Sequence, residues 1–212
     1  MSARPGERVL QFSPGGDDDE LARAEVYGLL ANLFYAPPGE ALYEQLRVAV
    51  TEAPARGAFL EHGWGELVAT SRRLTRSDVH DEYAALFVGV GRPEIVLYGS
   101  YHLVGKLNEK PLVELRRDLN ALGLERPEAV SETEDHLAAL CEVMRFLIAG
   151  EDPDTSNLAA QQRFFNAHLR SWVERFCETL ASHPRTDFYR ALAGFARDFF
   201  AVEGQAFDLL DG

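Results

Sequence analysis

Apolar residues recur along this chain at the spacing of an α-helix, and no segment alternates them convincingly at the spacing of a strand. The clearest stretch places Leu137, Leu140, Cys141, Met144, Leu147 and Ile148 on one stripe, and Gly150 stops it. Ser131 with Glu134 three residues on has the pattern of a capping box, so the spacing predicts that Glu132-Thr133-Glu134-Asp135-His136 opens this helix.

The same period predicts the other elements. Val26, Leu29, Leu30, Leu33 and Phe34 form a stripe behind Asp17 to Asp19, and Pro37 and Pro38 end it. Weaker stripes run through Leu42, Leu46 and Val50, then from Phe59 to Leu74, and a short helix is predicted from Ser77 to Phe87. Pro111 and Gly123 bracket Leu112, Leu115, Leu119 and Leu122. Two long helices close the chain: one carries Phe165, Leu169, Trp172, Val173, Phe176 and Leu180; the other carries Phe188, Leu192, Phe195 and Phe199. The expected fold class is all-α, one helical domain of nine to ten helices over residues 17–212. Residues 1–16, punctuated by Pro5, Gly6, Pro14, Gly15 and Gly16, read as a disordered leader.

Charge and composition narrow the function. With 21 Lys+Arg against 34 Asp+Glu the net charge is −13, the wrong sign for a general nucleic-acid binder. Hydrophobic residues at 46% and charged residues at 26% place the chain among folded globular proteins. No stretch nears the roughly 20 apolar residues of a membrane span, and the N-terminus has no apolar export segment, so no integral membrane association is expected. Cys141 and Cys177 stand alone, which fits a reducing compartment and a cytoplasmic location. The six histidines show no metal-ligand spacing, no phosphate-cradling glycine motif or nucleophile elbow occurs, and no cofactor is expected. Ser71-Arg72-Arg73-Leu74 imitates a twin-arginine motif, but lies internally with no apolar segment after it.

Two stretches stay unexplained by those exclusions. Tyr83, Leu86 and Phe87 run into the loop Val88 to Leu97, with Pro93 inside it, and then into Tyr98, Ser100 and Tyr101. Large apolar side chains in a loop either plug the core or line a groove. Glu132, Asp135 and His136 form the second stretch; carboxylates in a first helical turn are favoured by capping and dipole alone, while His136 asks for more explanation.

At these residues the sequence resembles the TorD/DmsD/NarJ family of cytoplasmic redox-enzyme maturation chaperones for molybdenum enzymes. Tyr83, Leu86 and Phe87 match its Tyr-x-x-Leu-Phe turn; Gly91, Pro93, Tyr98 and Ser100 match its Gly- and Pro-containing loop; Glu132, Asp135 and His136 match its Glu-Pro-x-Asp-His motif, with Thr133 in place of the proline. The resemblance implies an all-helical fold in two loosely defined halves with a hinge near 124–136, and no catalytic chemistry. It implies as partners the apo-form of a molybdenum or tungsten oxidoreductase catalytic subunit with its leader peptide, and the molybdenum-cofactor insertion machinery. Leader contacts are expected at Tyr83, Leu86, Phe87, Pro93, Tyr98, Ser100, Tyr101, Glu132, Asp135 and His136. Phe87 to Glu94 and Lys110-Pro111-Leu112 look most like members that serve formate dehydrogenases. Paired arginines ahead of an apolar stretch ask for carboxylates beside an apolar groove, and Asp135 or Glu132 is the expected arginine partner. Two other classes stay open: a nucleotide or metal-dependent hydrolase using Asp135 and His136, and a plain interaction adaptor.

Overall fold

The computed structural model describes residues 17–51, 60–89 and 93–210. The predicted N-terminal leader and Gly91 of the loop lie outside the described residues. Among these residues ten helices follow in chain order: α1 (Asp17–Tyr35), α2 (Glu40–Val48), α3 (Glu61–Arg73), α4 (Arg76–Phe87), α5 (Gly99–Val104), α6 (Lys110–Ala121), α7 (Leu137–Ala149), α8 (Leu158–His168), α9 (Val173–Ser182) and α10 (Phe188–Asp208). Among the described residues there is no strand, only one isolated antiparallel bridge between Tyr98 and His136.

The most extensive helix pairing is α1 against α7, and α10 packs on α9, α3 and α4. Tyr27, Leu30, Leu33 and Phe34 of α1 meet Leu137, Leu140, Cys141, Met144 and Leu147 of α7 in the same continuous core as the aromatic face of α10. Tyr27 stands edge-on to Phe199, ring centroids 4.8 Å apart. A carboxylate is buried in this seam and fully engaged: Glu203 accepts from Arg23 at 2.7 and 2.8 Å and from the Tyr27 hydroxyl at 3.0 Å. Arg23 also donates to Gln161, whose amide donates to the Leu147 carbonyl, so α1, α7, α8 and α10 share one polar network. A buried charge held by several donors specifies a single arrangement of its helices.

Two local departures from the sequence expectations have identifiable causes, and one helix cap comes from a residue far away in the sequence. The stripe from Phe165 to Leu180 is two helices: Trp172 turns its indole N–H onto the His168 carbonyl (2.7 Å) and stacks on His102 at 5.0 Å and 8°. The apolar period continues across the break, so spacing alone cannot reveal it. The capping box at Ser131 does not form. Glu134 is drawn instead to Arg116 and Arg126, α7 begins at Leu137, and His136 is its N-cap, with Nδ1 accepting from the Ala138 N–H at 3.2 Å. Finally, the start of α10 is capped from outside: the Glu82 carboxylate accepts from the N–H groups of Asp187, Phe188 and Tyr189 at 2.8–2.9 Å. The end of α6 follows expectation. Gly123 takes the left-handed conformation (φ 70°), which lets the Leu124 N–H return to the Leu119 carbonyl at 2.9 Å.

Candidate functional site: a groove beside the α7 N-cap

The bridge between Tyr98 and His136 joins the two motifs. The Gly99 N–H donates to the Asp135 carbonyl (2.9 Å) and the Leu137 N–H to the Leu97 carbonyl (2.8 Å). Asp135 locks the joint with its side chain: one carboxylate oxygen accepts from the Ser100 N–H at 2.9 Å, the other from the Thr133 hydroxyl at 2.6 Å. The Thr133 hydroxyl thus performs a fixing role at the position where the resembling motif carries proline. The Tyr98 hydroxyl donates to Glu132. Burial, together with that carboxylate, pushes the Tyr98 phenol well above its ordinary range, so it remains a donor.

His136 sits at the centre of this arrangement. Its ring lies 5.1 Å from that of Tyr98 and 6.3 Å from that of Tyr35, edge-on to both. Burial lowers its pKa from 6.5 to about 4, so it is neutral at physiological pH. Because Nδ1 accepts from the Ala138 N–H, the ring proton belongs on Nε2, which makes no hydrogen bond among the described residues.

His136 and Glu132 are on the wall of a groove of about 480 Å³. Its apolar lining comes from Ala31 and Tyr35 on α1, Leu119 on α6, Val130 in the connection, and Val143 and Phe146 on α7. Phe146 is 39% exposed there, a large apolar side chain left facing solvent. The charged lining is acidic: among the described residues Glu125, Glu132, Glu134 and Glu142 stand against Arg126. Glu134 is paired with Arg116 and Arg126, and Glu142 with Arg145, whereas Glu125 and Glu132 have no cationic partner among the described residues. Such a groove suits a ligand with an apolar body and cationic groups near one end.

Residues 54–178 match the nitrate reductase delta subunit family, more than half of the chain. The chain belongs to that family. Chaperone protein TorD of Vibrio cholerae serotype O1 is 28% identical over 204 residues, 89% of this chain and 93% of its own length. The TorD chaperone of Aliivibrio salmonicida is 25% identical over 198 residues, 85% of this chain and 92% of its own. A crystal structure of a protein from Archaeoglobus fulgidus assigned to redox enzyme maturation superposes with a TM-score of 0.57, covering 92% of this chain and 99% of that one at 18% identity, a likeness of fold. These relatives bear out the family resemblance and the all-α fold, and this delta-subunit-family chain is a chaperone relative, not an enzyme.

Within this family member, the structure separates the ten candidate residues. Glu132 and His136 line the groove, and Tyr98 backs both. Asp135 does not stand free to meet a cation: it is 3% exposed and both its oxygens are engaged internally. Leu86 is fully buried, and so is Ser100, whose hydroxyl has no partner among the described residues. Tyr83 is buried with its hydroxyl on the Tyr35 carbonyl (2.6 Å), and Phe87 packs between Tyr83 and Tyr189, 5.0 Å from each. These four and Phe87 pack into the scaffold and do not line the groove. Pro93 and Tyr101 are half-buried and do not line the groove. The hydrolase arrangement of Asp135 with His136 is not assembled, since the Asp135 carboxylate turns to Ser100 and Thr133. Sequence reasoning missed Tyr35, Val143 and Phe146. The signal was present in Phe146, which departs from the stripe of α7 while remaining aromatic.

Proposed function

We propose that this protein is a cytoplasmic, system-specific chaperone that binds the leader peptide and apo-form of a molybdenum or tungsten oxidoreductase catalytic subunit before cofactor insertion and assembly. The observation that carries the reading is the groove: an apolar floor beside two carboxylates, Glu125 and Glu132, that lack cationic partners among the described residues. Two arginines of a leader could take these carboxylates in bidentate fashion while the following apolar residues cover Phe146 and Val143. The His136 Nε2–H supplies a donor for a main-chain carbonyl of the bound peptide. TorD relatives named as chaperones support the class of role. Formate dehydrogenase is the proposed client, from the resemblance carried by the loop from Phe87 to Glu94.

Calorimetric titration with synthetic leader peptides tests this. A formate dehydrogenase leader with paired arginines is expected to bind, its Arg→Gln version to bind at least tenfold more weakly, and reductase leaders for trimethylamine oxide or dimethyl sulfoxide to bind less well. Equal binding of the Arg→Gln peptide rejects the groove chemistry; preference for another leader rejects the client.

A further inference from the structure

The chain carries its own sequence of the kind the groove suits. Residues 1–16 precede the described structure, and in this acidic protein they carry Arg4 and Arg8 against Glu7, followed by Val9, Leu10 and Phe12. Cationic residues followed by apolar ones repeat the order of chemistry proposed above for a client leader. We infer that residues 1–16 occupy the groove in cis, as an internal competitor that a client leader must displace; this rests on the groove being the leader site.

Length and direction agree with this docking. Helix α1 begins at Asp17, and Ala31 and Tyr35, which line the groove, lie about 21 and 27 Å further along it at 1.5 Å per residue. Pro14-Gly15-Gly16 has the composition of a chain reversal, so the segment can run back along α1. Extended at about 3.3 Å per residue from Gly16, it would bring Leu10 to about 20 Å and Arg8 to about 26 Å. In that conformation Leu10 would be level with Ala31, and Arg8 level with Tyr35. Because α1 and α7 are antiparallel, with Gly28 beside Arg145 and Tyr35 beside His136, the apolar residues arrive on the Phe146 side and the arginines on the Glu132 side. The register therefore matches the groove's own polarity. A tether this short also gives the segment an effective concentration in the millimolar range, enough for weak contacts to hold it in place.

The full chain carrying Phe12→p-benzoylphenylalanine, and separately Leu10→p-benzoylphenylalanine, is irradiated and its cross-links mapped by mass spectrometry. Expected are intramolecular links to Ala31, Val143 or Phe146, at a yield independent of dilution. Links elsewhere, or none from either position, overturn the inference. Links between two chains that fade on dilution overturn it in favour of a second copy as occupant. In the full-length Arg4→Glu/Arg8→Glu variant the groove links should fall and a paired-arginine leader peptide should bind about fivefold more tightly, as removal of a competitor holding most of the population requires; unchanged affinity overturns it. A leader that binds without any groove cross-link sinks this inference and leaves the proposed function standing. Groove cross-links with no leader binding to either form leave the docking standing and sink the function.

Discussion

Tyr98 and His136 stand edge-to-face with ring centroids 5.1 Å apart, across the backbone bridge that ties the loop before α5 to the start of α7. The pair couples scaffold to groove. On the inner side, Asp135 fixes the bridge through Ser100 and Thr133; on the outer side, Glu132 and His136 meet the groove. A conformational change at either motif must therefore be felt by the other.

The first prediction follows from the neutral state of His136. Folded, it takes up a proton only near pH 4; unfolded, it does so near its ordinary 6.5. The unfolded chain therefore binds more protons in that interval, and stability that is complete above pH 6.5 is lost as the pH falls toward 4. Burial also lowers His102 and His168, which act with the same sign. Urea melts at pH 7 and 4.5 should show a loss that is about 2 kcal/mol smaller in His136→Asn, whose side chain can still accept from the Ala138 N–H.

Asp135 gives the second prediction. Asp135→Ala leaves the buried Ser100 N–H unpaired and should cost about 2 to 4 kcal/mol, whereas Asp135→Asn keeps an acceptor and should cost about 1 kcal/mol. Thermal melts of both variants check the order. Leader affinity at a temperature where each is folded should change little, because the carboxylate does not reach the groove.

Much of the fold was legible because helical burial repeats every 3.6 residues: the stripe of α7, the proline and glycine bracketing α6, and the double proline after α1 are all local signals. What escaped depends on partners distant in sequence. Glu82 capping α10, Trp172 breaking the Phe165–Leu180 stripe to stack on His102, and Glu134 leaving its capping box for Arg116 each involve a contact that no window of sequence contains. The site was legible in the same measure. The motif residues mark the joint, but the groove wall comes from Tyr35, Val143 and Phe146, whose apolar character is ordinary in helices and informative only once α1 and α7 are side by side.

The third prediction separates scaffold from groove by exposure. Leu86→Ala opens a cavity at a fully buried position and should cost about 2 to 5 kcal/mol, with leader binding falling only as far as unfolding accounts for. Phe146→Ser removes an exposed apolar side chain and should leave the melting temperature nearly unchanged while weakening leader binding several-fold. Melting and titration on the same two preparations decide it, and the reverse pattern would move the binding surface to the α4 loop.

The last prediction tests the charge on the groove wall. Glu132 is half-buried, lacks a cationic partner among the described residues, and accepts from the Tyr98 hydroxyl. Glu132→Gln keeps an acceptor for that hydroxyl, so the joint with the α7 N-cap should persist and stability should shift by less than about 1 kcal/mol. An arginine that pairs with this carboxylate loses its partner, and at a partly exposed site such a pair is worth about 1 kcal/mol, close to fivefold in affinity. Salt screens the same interaction with a Debye length of about 10 Å at 0.1 M. Titrating a paired-arginine leader at 50 mM and 300 mM salt should therefore show a steep loss of affinity for the native chain and a shallower one for the variant, the two converging at high salt. Parallel slopes would mean that Glu132 serves Tyr98 alone and that Glu125 or Glu142 receives the cation.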